Sequence, residues 1–164
     1  MEKGEEIGRF NDVPAYYNGP IEAKTWGSNY VSGKYYGYKW QCVEFVRRYT
    51  HITSGVLISH RGNAGTFYNS GINDTGQTFD GFTQCRNRDH NQRLIGSKIK
   101  PKAGDVIVID TATYGHVAII SNVAEDYIDI VQQNVGTKFT ERLEMQHKNS
   151  RWILDRKVLC WLTK

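Results

Sequence analysis

Apolar positions recur at helical spacing between Tyr38 and Tyr49. Cys42, Phe45, Val46 and Tyr49 fall at i, i+3, i+4 and i+7, one buried stripe of an amphipathic helix. Gly33 and Gly37 lie upstream in a tyrosine-rich, loop-like run, so the helix is predicted to begin at Cys42 and reach about Ser54. Further along the period changes. Runs near Asp105–Asp110, His116–Asn122, Tyr127–Gln133 and Trp152–Trp161 are apolar and β-branched and read as strands. Gly104 precedes the first, and Asn122-Val123-Ala124-Glu125-Asp126 forms the turn between the second and third. The remaining stretches are weaker. Residues 1–12 read as a loose tail, and 13–37 as a lead-in rich in Tyr, Gly and Asn. A short helix is predicted near Ala64–Tyr68, and 69–100 is an excursion rich in Gly, Asn and Asp with weak helical pieces at most. Helices followed by an antiparallel meander is an α+β order.

A chain of 164 residues suits one domain with room for a real core. No apolar run is long enough to cross a membrane, so no membrane partner is expected. The start, Met1 to Gly8, has no signal-peptide core. That points to a cytoplasmic protein, a trimmed chain, or export by a route needing no such peptide, lysis included. Cys42, Cys85 and Cys160 are an odd set of three, which fits free thiols in a reducing compartment. No CxxC pair or clustered His/Cys spacing suggests a metal, and no cofactor is expected. The net charge of +4 is mild. Lys98, Lys100 and Lys102 alternate before a strand, and Arg86, Arg88 and Arg93 lie in a polar stretch. Without a recognisable motif these read as a solvated face, not a nucleic-acid surface.

The chemistry begins with where the helix places Cys42. At a first turn, unpaired N–H groups and the positive dipole end favour thiolate over thiol. The same N–H groups can hold an oxyanion once a thiolate attacks a carbonyl, and the preceding Gln41 can contribute its side chain. Among five histidines, His116 alone heads an apolar strand, in Gly115-His116-Val117-Ala118. A lone strand histidine is more often a satisfied core residue, but beside a helix-start cysteine it becomes a candidate base. Strand alternation puts it on one face with Ala118 and Ile120. Ile128 to Val135 reads as a further strand, with Gln132 and Asn134 on one face and Gln133 on the other. An amide there can accept the imidazole N–H and fix its tautomer. Glu44 and Arg48 form an i, i+4 pair on the outer helix face. Trp26, Tyr36, Tyr38 and Trp40 are candidate cleft walls, although aromatics in such positions are more often packing.

Trp40-Gln41-Cys42-Val43-Glu44-Phe45, Pro101-Lys102-Ala103-Gly104-Asp105-Val106-Ile107-Val108 and Gly115-His116-Val117-Ala118 together resemble the CHAP domain. This is the cysteine, histidine-dependent amidohydrolase/peptidase branch of the papain-like NlpC/P60 superfamily. The same residues also resemble amidase domains of the bifunctional glutathionylspermidine synthetase/amidase type. They share a Lys-Trp-Gln-Cys-Val-Glu-Phe helix start, a Leu-Glu-Met stretch matched by Leu143-Glu144-Met145, and a late tryptophan matched by Trp161. The resemblance implies a papain-like fold with N-terminal helices packed on an antiparallel sheet, as a CHAP-type domain over 13–164 behind the tail of 1–12. It implies Cys42 as nucleophile and His116 as general base and acid. The family's third residue is usually a glutamate in an Ile-x-Glu-x-Asn pattern. Here Gln132 occupies that place and Asn134 matches the asparagine. A neutral amide orients an imidazolium, whereas a carboxylate also stabilises its charge. The expected reaction is amide cleavage through a Cys–His thioester. Substrate contact or oxyanion binding falls to Gln41, Asn134 and Trp40. Candidate substrates are a glutathionylspermidine-like glycine amide, which calls for an acidic pocket, and a peptide amide of peptidoglycan, which calls for an open groove. A degenerate domain that only binds its ligand is a further alternative, opposed by retention of both Cys42 and His116. Whether a protein inhibitor exists is left open.

Overall fold

Helix α1 runs Cys42–Ser54 in the computed structural model, which describes residues 1–20 and 25–164. Its last turn closes on Gly55, whose φ of 78° gives a left-handed cap with its N–H on the His51 carbonyl at 2.9 Å. Phe45, Val46 and Tyr49 are buried on the predicted face. The opposite side is not an outer one. Glu44 and Arg48 form the expected pair at 2.7 Å, but both are buried. Two N-terminal hairpins explain this. β1 (Glu6–Phe10) pairs with β2 (Val13–Tyr16), and β3 (Ser28–Val31) with β4 (Lys34–Tyr38), and both β2 and β4 pack on α1. The loose tail expected over 1–12 therefore contains a strand, and the described part of the lead-in contains three. The portion of the lead-in at 21–24 lies outside the described residues.

Among the described residues the main sheet is antiparallel and has eight strands. In chain order these are β5 (Gly76–Gln77), β6 (Thr83–Arg86), β7 (Val106–Ile109), β8 (His116–Val123), β9 (Tyr127–Val131), β10 (Thr140–Lys148), β11 (Arg151–Leu154) and β12 (Val158–Thr163). In space they run β11-β10-β9-β8-β7-β12-β6-β5. One face meets α1: Val106, Val108, Val117, Ile119, Cys160 and Leu162 pack with Phe45, Val46 and Tyr49. The other face gathers Ile107, Ile109, Ala118, Ile120, Ile128, Ile130, Leu143, Met145, Leu154 and Trp161. Every buried member of that second cluster comes from the sheet itself, so the sheet curls to bury this face on its own strands. Among the described residues no helix is long and apolar enough to cross a membrane.

The expectation of several N-terminal helices is corrected: among the described residues α1 is the single α-helix, followed by short 3-10 turns at Ala64–Phe67 and Phe79–Gly81. The strand expected over Trp152–Trp161 is two, because Asp155 to Lys157 turn the chain and the Val158 N–H bonds back to Asp155 at 2.9 Å. β10 was not anticipated, since its Thr-Glu-Arg-Leu-Glu-Met-Gln-His-Lys run is rich in residues that strands usually disfavour. The 69–100 excursion carries β5 and β6, ordered by buried polar side chains. Arg86, read as part of a solvated face, is buried and donates to the carbonyls of Ser70, Ile72 and Arg88.

Candidate active site

The first turn of α1 meets the first residues of β8. The carbonyl of Gln41, the N-cap residue, accepts from the Phe45 N–H at 3.3 Å, the first bond of the helix. The Cys42 thiol lies within hydrogen-bonding reach of the His116 imidazole and of the backbone N–H groups of Val117 and Val43. Burial pushes this thiol up, but the His116 bond, the His116 charge and the two N–H groups outweigh it and hold the thiol below its ordinary value. The imidazole shows the mirror effect. Burial pulls it down, while the bond to Cys42, the Cys42 charge and the bond to Gln132 raise it above an ordinary histidine. Both directions favour a thiolate–imidazolium pair.

His116 owes its position to the turn before it. Gly115 has φ +77°, and a Cβ there would stand 2.8 Å from the Gly65 nitrogen. The Gly65 N–H donates to the Tyr114 carbonyl at 2.8 Å. Backbone thus packs directly on backbone just ahead of the histidine, a contact only glycine admits. Ala118 and Ile120 continue from His116 on the curled face, whereas Cys42 belongs to the helix-side cluster. The pair meets because both residues stand at the ends of their elements. The His116 Nε2 is 3.0 Å from the Gln132 Oε1, which leaves Nδ1 for the thiol. Gln132 lies just past β9, almost fully buried, with its N–H on the Phe139 carbonyl at 2.8 Å and its Nε2 3.4 Å from the Glu141 Oε1.

The next two residues turn to the helix. Gln133 Nε2 donates to the Gln41 carbonyl at 2.8 Å and to Glu44 Oε1 at 2.9 Å, while its Oε1 accepts from the Tyr16 N–H at 2.9 Å. Asn134, in a left-handed conformation with φ 74°, donates from Nδ2 to the Gln41 Oε1 at 3.1 Å and accepts from Asn18 at 2.8 Å. Asn18 Oδ1 in turn takes the Trp40 N–H at 2.9 Å. The Trp40 ring packs on Tyr16 with centroids 4.3 Å apart. Among the described residues no group of three or more His, Cys, Asp or Glu side chains is placed to hold a metal ion.

The model of the CHAP domain matches residues 33–134, well over half of this sequence. The chain belongs to the CHAP domain family. It is 30% identical over 155 residues to the bifunctional glutathionylspermidine synthetase/amidase of Escherichia coli (strain K12), covering 82% of this chain and 23% of that protein. The Shigella flexneri protein of the same name gives the same values. Trypanothione synthetase of Crithidia fasciculata is 26% identical over 161 residues, covering 88% of this chain and 24% of the relative. The chain therefore spans about a quarter of the length of the curated relatives it matches.

A CHAP domain fits a papain-like fold, and among the described residues a single α-helix packs on a curled antiparallel sheet. The structure brings together Cys42, His116 and Gln132, and separately Gln41, Asn134 and Trp40. Gln132 and Asn134 do not share a face as alternation predicts, because β9 ends at Val131 and the left-handed Asn134 turns its side chain toward the helix. Of the candidate cleft aromatics, Tyr36 is a core residue with its hydroxyl 2.8 Å from the His51 Nδ1, and only Tyr38 is largely exposed among those on the Cys42 side of the chain. Two residues escaped the sequence reading. Gln133 looked like an ordinary strand-end amide, and Glu141 sits on a strand that was not anticipated. A glutamine where the family usually has glutamate was the available signal to look for a nearby acid.

Proposed function

We propose that this CHAP domain is a thiol-dependent hydrolase that cleaves an amide bond, with a glutathionylspermidine-like glycine amide as substrate. The observation that carries the reading is the buried Cys42–His116 pair at a helix start, with the thiol lowered and the imidazole raised. In this scheme the Cys42 thiolate attacks the carbonyl carbon and forms an S–C bond. The oxygen charge is met by the Cys42 N–H and the Gln41 side chain, whose oxygen is already engaged by Asn134. His116 delivers its proton to the leaving nitrogen as the C–N bond breaks, leaving a thioester and the free amine. Water then attacks the thioester with His116 as base, releasing the acid and restoring the thiol. Gln132 accepts from Nε2 throughout and keeps Nδ1 directed at sulfur.

A small acyl residue such as glycine suits a nucleophile this deeply set, since Cys42 is only 8% exposed. The family match and the glutathionylspermidine synthetase/amidase relatives support the amidase class. One observation favours the peptidoglycan reading instead. Tyr38 and Tyr114 are 54% and 62% exposed and stand a few residues before Cys42 and His116, which suits an extended ligand lying across the site. Mass spectrometry after incubation with glutathionylspermidine, and separately with purified peptidoglycan fragments, decides between them. Release of free spermidine supports the proposal. New amine termini from peptidoglycan alone would transfer the same residues to the wall substrate, and no product from either would overturn both.

A further inference from the structure

We infer that Glu141 is a positioning residue for the Cys42–His116 pair, supplying from the neighbouring strand the negative charge that Gln132 lacks. The inference rests on the pair assigned above. Glu141 lies on β10, outside the segment matched by the family model, which ends at residue 134. Its Oε1 receives the Gln132 Nε2 at 3.4 Å, and the Gln132 Oε1 receives the His116 Nε2 at 3.0 Å. His116, Gln132 and Glu141 thus form a line in which a neutral amide separates base from carboxylate.

Two physical effects follow. The first is orientation. A glutamine amide presents either its oxygen or its NH2 group to a neighbour. The NH2 group facing His116 would demand a bare Nε2 and push the ring proton onto Nδ1, against the thiol. A carboxylate accepts only, so Glu141 holds the NH2 group on its own side and turns the oxygen to His116. That selects the tautomer with Nδ1 open to take the Cys42 proton. The second effect is charge. Glu141 adds its field to the partners that raise the imidazole, through a largely buried path that solvent screens weakly. Lys157 hydrogen-bonds Glu141, and Lys138 stands 3.4 Å away. With Gln132 they outweigh burial and keep the Glu141 carboxyl below its ordinary range, so the charge is present whenever the pair is needed.

The test reads the pair without any substrate. The rate of Cys42 alkylation by iodoacetamide is followed from pH 4 to 9 in the full chain, alongside melting curves. In Glu141→Leu, which removes both charge and acceptor, the midpoint of the rate profile should move up by about one pH unit, toward an ordinary thiol. Glu141→Gln keeps the shape and loses the charge, and should move in the same direction by less. The exchange Gln132→Glu with Glu141→Gln restores a carboxylate beside His116 and should bring the midpoint back to the wild-type value or below. A role limited to holding β10 in place predicts lowered melting with an unmoved midpoint. A wild-type profile in Glu141→Gln, or in a folded Glu141→Leu, would overturn the inference, as would failure of the exchanged variant to recover. Because alkylation requires no amide, a shifted profile in a protein that cleaves neither candidate substrate would leave this inference standing while removing the proposed function.

Discussion

Two regions of the molecule bury cysteine, with opposite consequences. At the head of α1, Cys42 meets an imidazole and two backbone N–H groups and is held below its ordinary value. On the paired strands β6 and β12, Cys85 and Cys160 are fully buried. Desolvation pushes Cys85 up to about 12, with help from the nearby carboxylates of Asp74 and Asp105, and Cys160 well above an ordinary thiol. Burial itself does not decide reactivity. The outcome turns on whether the low-dielectric site also holds a partner for the charged form. At Cys42 the partners outweigh burial, whereas at Cys85 and Cys160 the Ser97 hydroxyl, Lys102 and Arg86 do not.

The largest expected effect separates the two regions directly. At neutral pH iodoacetamide should modify Cys42 at least about a thousandfold faster than Cys85 or Cys160, as peptide mapping of the folded protein would reveal. Equal labelling of all three would erase the comparison. Next comes conversion of one region into the other. His116→Ala removes the partner and leaves the burial, so Cys42 alkylation at pH 6 should fall by roughly a hundredfold. Labelling of Cys85 and Cys160 should not change, and a Cys42 rate that stays within twofold would show that the helix start alone holds the thiolate.

A smaller effect tests how the helix start is held. Gln133→Leu leaves the Gln41 carbonyl and the Glu44 carboxylate each short of a donor, at a cost of about 2–3 kcal/mol by urea unfolding. Cys42 alkylation should slow several-fold in the same variant. Unchanged stability would show that the Glu44–Arg48 pair suffices. The smallest effect lies beside the inert thiols. Burial raises Asp105 to about 6 from 3.8, against the opposing Lys102 N–H bond. Between those values the unfolded chain loses a proton that the folded chain keeps, so stability falls as pH rises through that window. Asp105→Asn should raise stability at pH 7 by about 1–2 kcal/mol and have almost no such effect at pH 3.5. Cys85 should stay unlabelled, because desolvation still dominates there. A gain of equal size at both pH values would contradict the assigned ionisation.

What the sequence disclosed follows the same division. α1 was legible because four apolar residues at helical spacing mark its buried face locally. β7 and β8 were legible because both of their faces are apolar, and β9 because buried Ile128 and Ile130 alternate with polar Asp129. Cys42, His116 and Gln132 carried enough of the family pattern to be named together. Elements ordered by buried polar side chains stayed hidden. Gln84 is wholly buried with its amide on Asn69 and Ile72, and Asn87 binds the carbonyls of Leu154, Asp155 and Val158, so β6 and the excursion around it rest on contacts with no periodicity. The Glu44–Arg48 pair looked solvated because charge in sequence is ordinarily charge on the surface. Glu141 was out of reach for a different reason: its neighbour in space follows from the pairing of Ile130 with Glu141, which only the sheet register supplies.

The three residues after β9 also bear on how the site tolerates thermal motion. Gln132 grips the imidazole, while Gln133 and Asn134 grip the residue just before the thiol. Base and nucleophile lie far apart in the sequence but share one anchor. A displacement of that anchor carries both the same way, and their separation changes by the difference of two nearly equal shifts.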